Sequence, residues 1–142
     1  MVRKATANDA EQLEILNNEF NGKGETSIEN IRNSLINNPQ EVVIVADEDN
    51  KLVGFVCVQL KKSFCYDEYM PEITEVYVKP SYRKRGIASK MITFAEKYCI
   101  ENYPLHKYEL LTGKSNLTAQ AVYEKLGYIN DNEVHLSKRV KK

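Results

Sequence analysis

The sequence predicts an α/β (α+β) fold: a mixed, mostly antiparallel central sheet of six to seven strands flanked by about four helices. Three observations predict it. Apolar residues follow helical spacing in two segments near the N-terminus and in two beyond residue 86. β-Branched runs fill the middle of the chain, from 41 to 78. The element order places helices on both sides of the strands, and 142 residues suit one domain, 1–142, with one core.

Taken in order, Val2-Arg3-Lys4-Ala5 reads as a short first strand. Asn8 or Asp9 can cap a helix carrying Leu13, Leu16 and Phe20 on one face. The run Asn21-Gly22-Lys23-Gly24 breaks it. Thr26 or Ser27 opens a second helix with Ile28, Ile31, Leu35 and Ile36 in one stripe. Strands follow over 41–47 and 52–60, joined by Asp47-Glu48-Asp49-Asn50, a four-residue connection that leaves the hairpin register open. A strand over 73–78 closes at Pro80. A helix over 87–102 buries Ile87, Met91, Phe94, Ala95 and Tyr98. A strand over 108–112 and a helix over 119–126, stopped by Gly127, come next. Tyr128-Ile129 and Val134-His135-Leu136 read as a last pair of strands.

Composition excludes several classes of function. Twenty basic residues balance twenty acidic ones, so no global field draws the chain to nucleic acid or to a membrane. No apolar run approaches the roughly 20 residues of a membrane span. The first ten residues lack the apolar stretch of a signal peptide, which leaves a cytoplasmic location as the expectation. Cys57, Cys65 and Cys99 fit neither a zinc spacing nor a CxxC pair, and read as buried or partly buried free thiols. His106 and His135 lie far apart, so no metal site is expected.

The most informative segment runs Val76-Tyr77-Val78-Lys79-Pro80-Ser81-Tyr82-Arg83-Lys84-Arg85-Gly86-Ile87-Ala88-Ser89. A strand enters a turn, and a basic, glycine-containing stretch opens a helix. A helix start presents unpaired N–H groups and a positive dipole end, which together attract anions. Gly86 lets backbone approach an oxygen with no Cβ in the way. Arg83, Lys84 and Arg85 add cationic side chains. The pattern is neither G-x-G-x-x-G nor a Walker loop. As an isolated triplet, Arg83 to Arg85 reads first as a solvated helix start and also as a fragment of a nucleic-acid patch; its place between a β-branched strand and an amphipathic helix favours phosphate binding.

Arg83-x-x-Gly86-x-Ala88 after that strand resembles the acetyl-CoA signature of the GNAT superfamily of N-acyltransferases, usually Gln/Arg-x-x-Gly-x-Gly/Ala. The resemblance covers nearly the whole chain. It takes in Val2 to Asp9, Val53-Gly54-Phe55-Val56, and Asn116-Leu117-Thr118-Ala119 with Tyr123-Glu124-Lys125-Leu126-Gly127-Tyr128. It implies a co-substrate, acetyl-CoA, with its pyrophosphate on the backbone N–H groups from Arg85 to Ser89. Its pantetheine would run along Val76, Tyr77 and Val78 like an added strand. It further implies that Tyr123 protonates the leaving thiolate, with Asn116 near the cofactor. Unaided, Asn116 reads equally as a helix cap and Tyr123 as a core aromatic.

A neutral amine must attack, so a carboxylate should take its proton, often through water. Matched to the family, Glu72 stands where several members keep their base, and Glu75 is the second candidate; unaided, each reads equally as a solvated or salt-bridged strand-edge carboxylate. Strand alternation should point the two in different directions unless a bulge intervenes. No residue reads as an acyl-carrying nucleophile, so direct attack is expected, with a backbone N–H near Val76 polarising the carbonyl. The acceptor wall should come from the two N-terminal helices and the loop 61–71, where Asp67, Glu68, Tyr66 and Tyr69 suit a cationic amine but read more readily as an ordinary polar loop with its tyrosines packed on the sheet. Aminoglycoside-like, polyamine, small-amine and protein-amine acceptors all fit. The resemblance also allows a homodimer. A catalytically silent CoA-binding regulator and a nucleic-acid module are the competing readings, the latter opposed by the balanced charge.

Overall fold

The order of polar and apolar residues along the chain produces a five-stranded sheet between two unequal helical layers. The computed structural model describes residues 1–140. The strands are β1 (Val2–Lys4), β2 (Glu41–Glu48), β3 (Lys51–Lys61), β4 (Met70–Val78) and β5 (Glu109–Leu110). The helices are α1 (Ala10–Asn21), α2 (Ile28–Asn37), α3 (Ile87–Asn102) and α4 (Leu117–Lys125), with single 3-10 turns at Ala7–Asp9 and Pro80–Tyr82. Spatial order follows chain order, β1-β2-β3-β4-β5. Every pair is antiparallel except β4–β5, which is parallel because α3 carries the chain back between them.

The sheet has five strands where the sequence predicts six to seven. Tyr128-Ile129 and Val134-His135-Leu136 join no strand, and 108–112 contracts to two paired residues. The β2–β3 connection is also tighter than its composition implies. Glu48 pairs with Lys51, leaving Asp49 and Asn50 as the turn at φ 53° and 70°. Asp and Asn tolerate that left-handed geometry, and a two-residue turn of this hand matches strand twist and fixes the register.

β3 is buried on both faces from Leu52 to Val56 and divides the core. On one side α1 and α2 lay Leu13, Leu16, Ile31 and Leu35 over Val45, Phe55 and Tyr77. On the other, α3 inserts Met91, Ile92, Ala95 and Cys99 against Ile44, Val56, Val58 and Ile73. A Cβ added at Gly54 would meet Tyr77 O at 2.7 Å and Met91 Cε at 3.0 Å, so only glycine lets β3, β4 and α3 close here. Two expectations about exposure are corrected. Ile36 lies on the outer side of α2, 63% exposed. Cys65 is exposed in the β3–β4 loop, whereas Cys99 is buried and Cys57 half-buried.

β1, the start of α1 and β2 are joined through Arg3. Its guanidinium donates to both Asp9 oxygens at 2.9 Å and to Asp47 Oδ2 at 3.0 Å. Asp9 also accepts from the Thr6 N–H at 2.8 Å, so it secures the first turn by reaching back. Arg3 foremost holds the Asp9 carboxyl below its usual range, against the opposing effect of burial. A depressed folded-state pKa contributes stability above the unfolded value, near ~3.9, and loses it as pH falls through the folded value. Asp9→Asn is expected to cost about 3 kcal/mol at neutral pH, since it leaves a partly buried guanidinium short of charge. The cost should shrink below pH ~4. Urea melts at pH 7 and pH 3 check both; an equal cost at the two pH values would show that Asp9 acts by shape rather than charge.

Candidate active site

β4 ends in a cradle built almost wholly from main chain. The Lys79 N–H still donates to Val53 O at 2.8 Å, extending the ladder one residue past the strand. Pro80 then sets a 3-10 turn closed by Tyr82 N–H to Lys79 O at 2.9 Å. Arg83 staples the loop back, its Nε donating to Val78 O at 2.8 Å while its guanidinium lies 5.7 Å from the Tyr77 ring centre. Lys84 and Gly86 both take left-handed φ, 64° and 77°. Left-handed residues within such a loop turn successive N–H groups to one side, the geometry of an anion nest.

α3 opens on Gly86 with no side-chain cap, and its first helical bond is Lys90 N–H to Gly86 O at 3.0 Å. Among the described residues nothing accepts from the N–H groups of Ile87, Ala88 and Ser89. A Cβ added at Gly86 would meet nothing within 4 Å, so the space beside this residue is open. Arg85 lies over the Tyr82 ring at 5.0 Å, which leaves its charge beside the cradle.

The sheet is split beside this cradle. β4 and β5 pair only at Glu72 with Glu109 and Ile73 with Leu110. From Thr74 to Val78, β4 has β3 on one side and no strand on the other. Val76, Tyr77 and Val78 therefore present a free main-chain edge leading to Gly86. Their side chains are engaged elsewhere. Tyr77 is buried under α1 with its hydroxyl donating to Glu19 at 2.8 Å, and Val78 packs on the α3 side.

A bulge decides where the two carboxylates point. Cys57 faces Glu75, yet the next residue, Val58, faces Ile73, so Thr74 is extra. Glu72, opposite Gln59, thus shares the face of Glu75 and Tyr77, under α1 and α2. The alternation expected from spacing alone is corrected by this one residue.

Glu41, Gln59, Glu72 and Glu109 then stand in register across β2 to β5. Lys61 Nζ bridges Glu72 at 3.2 Å and Glu109 at 2.7 Å. Gln59 Nε2 donates to Glu41 at 3.3 Å. Burial first, and the Glu75 charge after it, push the Glu41 carboxyl upward, and burial raises the Cys57 thiol. Glu75 has no ion-pair or hydrogen-bond partner among the described residues. Glu41, Gln59 and Lys61 are absent from the sequence-predicted set, because only strand register brings them beside Glu72.

Tyr123 approaches from the opposite face. It packs on the α3-side core with Val76, Ile87 and Ala88. Its hydroxyl has no partner among the described residues, and burial raises its pKa, so it is protonated at neutral pH. Asn116 caps α4, its Oδ1 accepting from the Ala119 N–H at 3.2 Å, which leaves Nδ2 for a ligand. The β3–β4 loop departs from its expected part. Tyr69 packs with Tyr103 at 5.0 Å on the α3 side, away from the carboxylates, while Tyr66 stacks on His106 at 5.8 Å beside Glu68.

A split sheet thus has a free main-chain edge that runs into an uncapped, basic helix start. The chain belongs to the acetyltransferase (GNAT) family, whose model matches residues 10–128. It is 32% identical over 97 residues to NAA10, the catalytic subunit of the N-terminal acetyltransferase A complex of Arabidopsis thaliana, covering 67% of this chain and 50% of that protein. The chain spans between half and three fifths of the length of the curated relatives it matches. Its fold matches an aminoglycoside acetyltransferase from an uncultured soil metagenomic sample, solved with sisomicin, at TM-score 0.86 and 20% identity, over 99% of this chain and 96% of that one. It matches AAC(6')-Iy, solved with the bisubstrate analog CoA-S-monomethyl-acetylneamine, at TM-score 0.85 and 17% identity, over 98% and 97% of the two chains. No helix among the described residues is long and apolar enough to cross a membrane.

Proposed function

We propose that this chain is an N-acetyltransferase that uses acetyl-CoA as co-substrate and acetylates a primary amine by direct attack. The observation that carries the reading is the free edge of β4 from Thr74 to Val78 continuing into the uncapped N–H groups of Ile87, Ala88 and Ser89. The residues present fit the co-substrate: the space at Gly86 is open, and Arg83, Lys84 and Arg85 supply positive charge. Acetyl-CoA, when bound, supplies a thioester whose carbonyl carbon an amine can attack with a thiolate leaving.

The chain's own residues supply the rest. The β4 edge near Val76 donates an N–H toward the carbonyl oxygen, where charge develops. Glu72, or Glu75 beside it, takes the proton of the attacking amine, directly or through water. Tyr123, on the other face of the split, holds the proton that the departing sulfur needs. The face of Glu41, Glu72, Glu75 and Glu109 favours a cationic acceptor, which keeps aminoglycoside-like, polyamine, small-amine and protein-amine substrates in view. The three free thiols accord with a reducing cytoplasm.

Mixing the protein with acetyl-CoA and a panel of such amines, and reading released thiol, tests the reaction. Lys61 favours a second reading, since a lysine already paired with Glu72 is what a silent CoA-binding regulator would keep. Stabilisation by acetyl-CoA with no turnover on any amine would select it. Tyr123→Phe is expected to lower kcat about 100-fold while acetyl-CoA affinity stays within twofold. Unchanged kcat would return Tyr123 to a packing role.

A further inference from the structure

The outer wall of the split sheet, 108–128, is held at few points. β5 pairs with β4 through two residues, and α4 carries no fully buried residue. Both ends of the wall are nevertheless tied to one residue of α3. The Tyr108 hydroxyl, just before β5, donates to Glu96 O at 2.8 Å. The Tyr128 hydroxyl, just after α4, donates to Glu96 Oε2 at 2.6 Å. A phenol on a carboxylate at that distance makes a charge-assisted bond, stronger than one between neutral groups. Burial first, and the bond to Glu96 after it, raise the Tyr128 pKa, so the phenol stays a donor at neutral pH. Among the described residues the Glu96 carboxylate has no ion pair and no other hydrogen-bond donor.

Tyr128 in turn holds Tyr123 twice. Its N–H donates to Tyr123 O at 3.0 Å, and the two rings meet edge-on at 6.4 Å and 68°. An edge-to-face pair fixes the tilt of a ring as well as its place. Tyr123 has no other directional contact through its side chain. Its hydroxyl has no partner among the described residues, and the ring otherwise only packs on the α3-side core. A phenol without a hydrogen bond is aimed by its ring alone. The hydroxyl lies at the far end of that ring, so a small tilt displaces it, and a displacement of about 1 Å can cost a reaction 10²-fold.

We infer that Glu96 and Tyr128 are positioning residues for Tyr123: the Glu96 carboxylate fixes the Tyr128 ring, and that ring keeps the Tyr123 hydroxyl turned toward the split. The arrangement has a mechanical sense. α3 is the longest helix, and its first turn carries the free N–H groups of Ile87, Ala88 and Ser89. Glu96, in the same helix, ties down the wall that carries Tyr123. One rigid element thus sets both the cradle and the proton donor, so the two keep their spacing. The inference rests on the acetyltransferase reading and on the part given there to Tyr123, and the test separates the failure of each.

Thiol release from acetyl-CoA is followed with spermidine, kanamycin and a short peptide bearing a free N-terminus, using whichever turns over fastest. Tyr128→Phe keeps the ring and removes the hydroxyl. It is expected to lower kcat about tenfold with the KM for acetyl-CoA within twofold. Added to Tyr123→Phe, it should change kcat less than twofold, because the group it aims is already gone. Glu96→Ala should reproduce the fall, and Glu96→Gln should recover most of it, since an amide oxygen still accepts the phenol. Should Tyr128→Phe fail to fold, the two Glu96 variants carry the same cycle with Tyr123→Phe. An unchanged kcat in Tyr128→Phe, or an equal loss with and without the Tyr123 hydroxyl, overturns the inference and leaves the reaction standing. An unchanged kcat in Tyr123→Phe alone removes the part that is being positioned. Turnover on none of the three amines removes the reaction, and the inference falls with it.

Discussion

Gly86→Glu is expected to weaken acetyl-CoA binding at least 100-fold, about 2.8 kcal/mol, with the protein still folded. Two physical effects combine. At φ 77° a residue with a Cβ costs roughly 1–2 kcal/mol, which falls mainly on the loop because nothing lies within 4 Å for the side chain to strike. The larger effect is on the ligand. The new carboxylate would stand at the helix start beside the N–H groups of Ile87, Ala88 and Ser89, where it competes for them and repels a pyrophosphate of like charge. Gly86→Asn separates the two, since asparagine tolerates the left-handed backbone and carries no charge. It should retain the melting temperature of the wild type and bind between the two extremes. Calorimetric titration with acetyl-CoA reads both variants. A glutamate variant that binds within a few-fold of wild type would place the pyrophosphate elsewhere.

The cradle was legible in the sequence because its signals are local. β-Branched Val76 and Val78, Pro80, the basic run and Gly86 lie in chain order, and Met91 and Ala95 confirm by spacing the helix that follows. Even so, Lys84 sits at φ 64° with no signal in its residue type, since lysine has no special tolerance for that region. Features that depend on register were not legible. The extra Thr74 exists only relative to β3, so the shared face of Glu72 and Glu75 could be conceived from spacing but not chosen. Glu41, Gln59 and Lys61 were hidden for the same reason, being 11 to 31 residues from Glu72 in sequence and adjacent only across strands. The alternation at Val134 and Leu136 is a strand pattern, yet the segment joins no strand among the described residues, because alternation names a face to be covered and not an edge to pair with. An apolar face demands a partner without specifying one within the same chain.

The face that the bulge creates sets the second large effect. Glu72→Gln is expected to lower kcat/KM by about 10²- to 10³-fold, chiefly through kcat, because an amide cannot accept the amine's proton. Glu75→Gln is expected to act differently. Glu75 has no cationic partner of its own among the described residues and lies one row from Glu41, so its charge is free to attract a cationic acceptor. Its loss should raise KM for a polycationic amine about tenfold and leave kcat nearly intact, an effect that salt screening should erase in the wild type. The split between kcat and KM matters more than either loss. If Glu75→Gln lowers kcat and Glu72→Gln spares it, the two exchange roles, and Lys61 serves to hold Glu72 and Glu109 as part of the wall. If neither variant lowers kcat, the proton leaves by another route and the acidic face is there for binding alone.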